Sequence, residues 1–109
     1  MRVTIVGCGY VGMELARQLA ERGHDVSGVR RSNDGLAALR ELGEGVDESD
    51  GGVSAVRADA TDPASIESLP DADAVVFAAS SGGRGAEAAR SVYVDGLRNV
   101  VDEYGSRAR

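Results

Sequence analysis

The sequence predicts an α/β chain with a parallel sheet of strand order 3-2-1-4 and helices on both faces. Three observations predict it. Short β-branched runs alternate with stretches of helical period along all 109 residues, the pattern of consecutive βαβ units. Right-handed crossovers between parallel strands then leave few orders open. A glycine-rich turn, Gly7-x-Gly9-x-x-Gly12, joins the first strand to the first helix.

Each element has a local reason. Val3 to Val6 is a short apolar run of the kind buried on both faces, ended by Gly7. From Tyr10 to Arg22 the residues Val11, Leu15 and Leu19 recur at helical spacing, with Gly23 as the stop. Asp25 to Val29 is the second strand. Ser32 or Asn33 caps a helix running to about Leu42, with Leu36, Leu39 and Leu42 inward. The glycine- and acid-rich stretch 43–52 reads as a mobile surface loop, not a site. Val53 to Ala58 is the third strand. Asp62 then Pro63, cap and first-turn proline, start a short helix to about Leu69. Ala74 to Ala79 is the most apolar strand, and its composition suggests a central place. Ala86 to Tyr104 carries Ala89, Val92, Tyr93, Leu97, Val100 and Tyr104 as a helical stripe. Residues 1–109 are expected to form one domain, the first half of a Rossmann-type doubly wound sheet plus one strand.

The formal charge is −6, and all twelve basic residues are arginine. This balance argues against nucleic-acid or anionic-membrane binding, which needs a basic surface. Such a composition fits adaptation to high salt, and equally a GC-rich genome. The single Cys8 excludes an intrachain disulfide and fits a reducing compartment. No stretch approaches the roughly 18 apolar residues of a membrane span. The expected location is the cytoplasm.

In the expected strand–turn–helix context the Gly-rich loop reads as a dinucleotide-binding turn. Gly7 makes the tight turn, Gly9 lets pyrophosphate approach, and Gly12 packs helix on strand. Cys8, Tyr10 and Val11 complete the loop, whose helix-start amides point at the phosphates. Cys8 is read as packing and His24 as structural; no catalytic or metal-binding residue is assigned. In this fold the end of the second strand meets the adenosine ribose, where an acid bonds the 2′-hydroxyl. Here "SGVRRS" puts Arg30, Arg31 and Ser32 at that place, with no acid from 26 to 33. Arginine there favours a 2′-phosphate, hence NADP with NAD as the alternative; solvated surface arginines are the plainer reading. Asp59 or the Ala60 backbone would meet the adenine, unless Asp59 is only a turn residue. Ala78, Ala79 and Ser80 would line the middle of the cofactor. Gly82, Gly83 and Gly85 form either a ligand flap or a linker.

Together, "IVGCGYVG", "GHDVSGVRRS", "ADATDPASI", "DADAVVFAAS" and "YVDGLRNVV" resemble the amino-terminal part of an atypical extended short-chain dehydrogenase/reductase. Within that family they are most similar to sugar-epimerase-like, NAD-dependent epimerase/dehydratase proteins. The resemblance runs from residue 3 to 101. It implies nicotinamide-dependent redox chemistry on sugars or related carbonyls. In the helix motif Tyr93 stands where Asn is common and Leu97 where Thr is common. The family's catalytic Tyr-x-x-x-Lys pair has no counterpart, because Tyr93 is followed at the fourth place by Leu97 and Tyr104 by Ala108. The expectation is a cofactor-binding piece of a longer oxidoreductase, without turnover of its own. An open sheet edge at the fourth strand would invite self-association. A second resemblance, through "GCGYVGMELARQL" and "DATDPASIESLPDADAVV", is to nucleotide-sensing regulatory domains of potassium transport systems. These usually carry an acid at the second strand's end.

Overall fold

The computed structural model describes residues 1–7, 10–45, 51–78 and 91–107, with Tyr10 and residues 91–93 as backbone. Four strands, β1 (Arg2–Val6), β2 (Asp25–Arg30), β3 (Val53–Arg57) and β4 (Ala74–Phe77), pair in parallel in the order β3-β2-β1-β4. The helices are α1 (Tyr10–Glu21), α2 (Asn33–Glu44), α3 (Pro63–Glu67) and α4 (Leu97–Arg107). A π-helical turn, Ser91–Gly96, leads into α4.

The pleat of the strands divides the core in two. Val3, Ile5 and Val26 pack with Ala16 of α1 and Leu39 of α2. On the other face Val6, Val29 and Ala58 pack with Ile66 of α3, Leu69 and Val100 of α4. β1 is therefore covered on both sides, and its last four residues are all buried, which explains the unbroken apolar run. β4, for which composition suggested a central place and the order 3-2-1-4 an edge, pairs only with β1 among the described residues and is half-buried throughout. Apolar composition reports cover by helices, whereas the place in the sheet follows from the crossovers.

The caps are as expected. Ser32 Oγ accepts from the Gly35 amide at 3.1 Å, and Asp62 Oδ1 accepts from the Ala64 amide at 3.1 Å ahead of Pro63. Gly23 has φ +89°, a left-handed stop for α1. On the outer face of α1, Arg17 bridges Glu14 and Glu21, and its bonds hold the Glu14 carboxyl down at about 2.

Three further expectations need correction. On α1, Leu15 and Leu19 pack against the core as expected, but the fully buried residues are Gly12, Ala16 and Ala20, and Val11 is 80% exposed. Small residues four apart let the helix close on the sheet, and Val11 lies one residue, about 100°, off that stripe. α2 runs through Glu44, so the presumed loop begins later; residues 46–50 of it lie outside the described residues. On α4 Val100 and Tyr104 face inward below Gly96 of the preceding turn, and Leu97 is 42% exposed. Residues 86–90 of the expected helix lie outside the described residues.

Candidate dinucleotide site

The carboxyl ends of the strands gather the residues singled out by sequence. Gly7 leaves β1 with φ +79°, a conformation that side chains rarely adopt, and its amide donates to the Val29 carbonyl at 3.0 Å. The turn is thus pinned to β2 before the chain enters α1. Gly12 is buried against the sheet, and Val11 is exposed on the first turn of α1. That turn carries no acidic residue, so no carboxylate of its own offsets the positive end of the helix dipole. Tyr10 opens the helix; Cys8 and Gly9 lie outside the described residues.

At the end of β2, Arg30 is half-buried and folds over the first turn of α2. A Cβ placed on Gly35 would lie 2.7 Å from Arg30 Cζ and Nε. Gly35 therefore gives the guanidinium its seat. Arg31 is exposed, and Ser32 spends its hydroxyl oxygen on the helix cap. One residue missed by sequence reasoning stands beside them. Arg57, the last residue of β3, is in register with Arg30, and its Nη1 donates to Asn33 Oδ1 at 2.8 Å. The only signal available was its place two residues before Asp59, which says nothing without the register.

The loop after β3 is tightly bonded. Asp59 Oδ1 accepts from the Thr61 amide at 2.9 Å and from the Thr61 hydroxyl at 2.7 Å, closing a turn. The Asp59 amide donates to Ser65 Oγ at 2.9 Å. Asn99 Nδ2 of α4 donates to the Ala60 carbonyl at 2.9 Å, and a Cβ on Gly96 would meet Ala60 Cβ at 3.3 Å. Asn99 and Gly96, both within "YVDGLRNVV", thus tie α4 to this loop, a role the motif alone did not disclose. The Ala78 amide donates to the Val6 carbonyl at 2.8 Å, continuing the β1–β4 pairing toward the site. Ala79, Ser80, Gly82, Gly83 and Gly85 lie outside the described residues.

A cleft of about 410 Å³ lies elsewhere, lined by Arg2, Asp73, Tyr104 and Arg107 among others. It sits at the amino ends of β1 and β4, the opposite end of the sheet from Gly7. It has no part in this site.

A Gly-rich turn into an acid-free helix start, with arginines at the ends of β2 and β3, suits a phosphate-rich ligand. Comparison with known proteins decides which. A family described as NAD(P)H-binding matches residues 7–105. The chain belongs to this NAD(P)H-binding family.

Solved structures agree with that membership. The chain is 29% identical to an NAD-dependent epimerase/dehydratase-type protein of Bacillus halodurans, with a TM-score of 0.80 over 98% of this chain and 47% of that one. A short-chain type dehydrogenase/reductase of Mycobacterium ulcerans gives a TM-score of 0.78 at 22% identity, over 96% and 45% of the two chains. At that identity the likeness shows the fold alone. Among curated proteins, an uncharacterized protein of Schizosaccharomyces pombe is 46% identical over 44 residues, 39% of this chain and 15% of that one. The chain spans about half the length of these solved structures. It is an NAD(P)-binding domain of the Rossmann type, similar to epimerase/dehydratase and short-chain reductase proteins. Among the described residues, no helix is long and apolar enough to cross a membrane.

Proposed function

We propose that this chain binds NADP(H) in preference to NAD(H), as the cofactor-binding domain of an epimerase/dehydratase-like oxidoreductase of the cytoplasm. The observation that carries the choice is the basic end of β2, Arg30 and Arg31, where an acid would read a bare ribose. In this reading the loop Gly7, Cys8, Gly9, Tyr10, Val11 and Gly12 holds the pyrophosphate against the start of α1. Arg30, Arg31 and Ser32 surround the 2′-phosphate, Asp59 and Ala60 face the adenine, and Ala78, Ala79 and Ser80 line the middle of the cofactor. When bound, the nicotinamide exchanges hydride with a carbonyl or alcohol carbon. With no lysine in the sequence there is no Tyr-x-x-x-Lys pair, so the task assigned to these residues is binding and orientation.

Titration with NADPH, NADH, ATP and AMP tests the reading. NADPH is expected to bind most tightly and NADH more weakly. Tighter binding of ATP or AMP than of either dinucleotide would return the chain to the nucleotide-sensing reading. The parallel edge of β4 supports a further expectation, since an unpaired strand edge is a template for pairing. Sedimentation over a wide concentration range should show self-association; a monomer throughout would refute it.

A further inference from the structure

We propose that Arg57 is a second reader of the 2′-phosphate and so determines cofactor specificity together with Arg30. This deepens the NADP reading above and rests on it.

The pleat fixes the direction of the side chain. Val26 of β2 and Val53 and Ala55 of β3 face the core under α1 and α2. Residues two apart on a strand share a face, so Arg30 and Arg57 emerge on that same side. They are registered neighbours on adjacent strands, about 4.8 Å apart. Beyond them lies the first turn of α2. Arg30 lies over Gly35 on that turn, and Arg57 is bonded to Asn33, its first residue. Two guanidinium groups therefore flank one helix start, whose own dipole is positive. An anion seated between them would offset their mutual repulsion.

Arg2 pairs with one carboxylate and Arg17 and Arg107 with two each, whereas Arg22, Arg31, Arg40 and Arg98, like Arg57, have no ion pair among the described residues. Arg57 makes no ion pair among the described residues, not even with Asp34 in the adjoining turn, and its one hydrogen bond there is to a neutral amide. A guanidinium has five N–H donors in a planar fork. The bond to Asn33 uses one and steadies the group, leaving the others for a dianion approaching the end of the strands.

The test compares variants of the full chain by titration with NADPH and NADH. Arg57→Gln should weaken NADPH about 10-fold, as expected for loss of one charge-assisted contact, and leave NADH unchanged. Arg57→Lys, which keeps the charge and loses the fork, should fall between parent and Arg57→Gln. Asn33→Ala removes the Arg57–Asn33 bond but not the cation, and should retain most of the preference. As Arg57 is exposed, melting of the unliganded variants should match the parent. If Arg57→Gln keeps the full preference while Arg30→Ala loses it, Arg57 is no reader and the NADP assignment stands. Equal effects of Arg57→Gln on both cofactors, or of Asn33→Ala and Arg57→Gln on NADPH, would also overturn the role. A parent with no preference overturns both readings.

Discussion

Gly51→Ala should melt far below the parent, while Gly52→Ala, one residue on, should melt at or slightly above it. The two glycines look alike in sequence and differ completely in surroundings. A Cβ on Gly51 would lie 2.5 Å from the His24 carbonyl carbon and 2.8 Å from its nitrogen, with the carbonyl oxygen nearer still. All three are backbone atoms of the residue just before β2, so no side chain can swing aside. The Gly51 amide also donates to the Ala20 carbonyl at 2.8 Å, which holds it against the end of α1. Overpacking costs about 1–3 kcal/mol and sometimes more; a backbone obstacle puts this case near ~3 kcal/mol. At ~4–8 °C per kcal/mol for a domain of this size, the melting temperature should fall by roughly 12–24 °C. A methyl on Gly52 would meet no heavy atom within 4 Å, and the φ of this residue is not positive. Alanine there should stabilise by ~0.4–1 kcal/mol through the unfolded chain. Urea unfolding should show the same order in the midpoints with little change in slope. Similar melting of the two variants would refute the close approach of Gly51 to β2.

Arg30→Ala should erase most of a roughly 10- to 100-fold preference for NADPH over NADH, the ratio that one charge-assisted contact of ~1.5–3 kcal/mol implies. NADH affinity should stay nearly unchanged, because NADH lacks the group being read. The net charge of −6 works against any anionic ligand, so the preference must arise from local geometry. Added salt should reduce it, since exposed charges are screened over about 10 Å at 0.1 M. Gly35→Ala supplies a gentler probe of the same contact. Its methyl would press on the far end of the Arg30 side chain, which can move at little cost to stability. The preference should then fall without a large drop in melting temperature. Equal affinities for the two cofactors in the parent, or loss of both in Arg30→Ala, would leave the arginines as ordinary surface charges.

Much of the candidate site was legible because its signals are local. Gly7 announces a turn by its spacing to Gly9 and Gly12, and its positive φ agrees. Ser32 and Asp62 announce helix starts by residue type, and both accept the expected amide bonds. Arg57 was not legible as a site residue. A charged residue in a strand is usually a solvated one, and only pairing with β2 brings it level with Arg30. The sequence left Asp59 open between an adenine contact and a turn residue, and its bonds to Thr61 and the hold of Asn99 on the Ala60 carbonyl, across 39 residues, come only from the fold.

The sequence by itself determined the alternation of strands and helices, the parallel order β3-β2-β1-β4, the Gly-rich turn and the helix caps. These depend on dihedral periods, cap chemistry and crossover handedness, all of which act within a segment or between consecutive ones. Only the tertiary structure decided that Leu97 is 42% exposed, that Gly51 is pressed against His24 and that Arg57 stands level with Arg30. The common reason is that helix phase, close approach and registered side chains are set by contacts between segments far apart in the chain. One inter-strand register changes those contacts while leaving every local pattern intact.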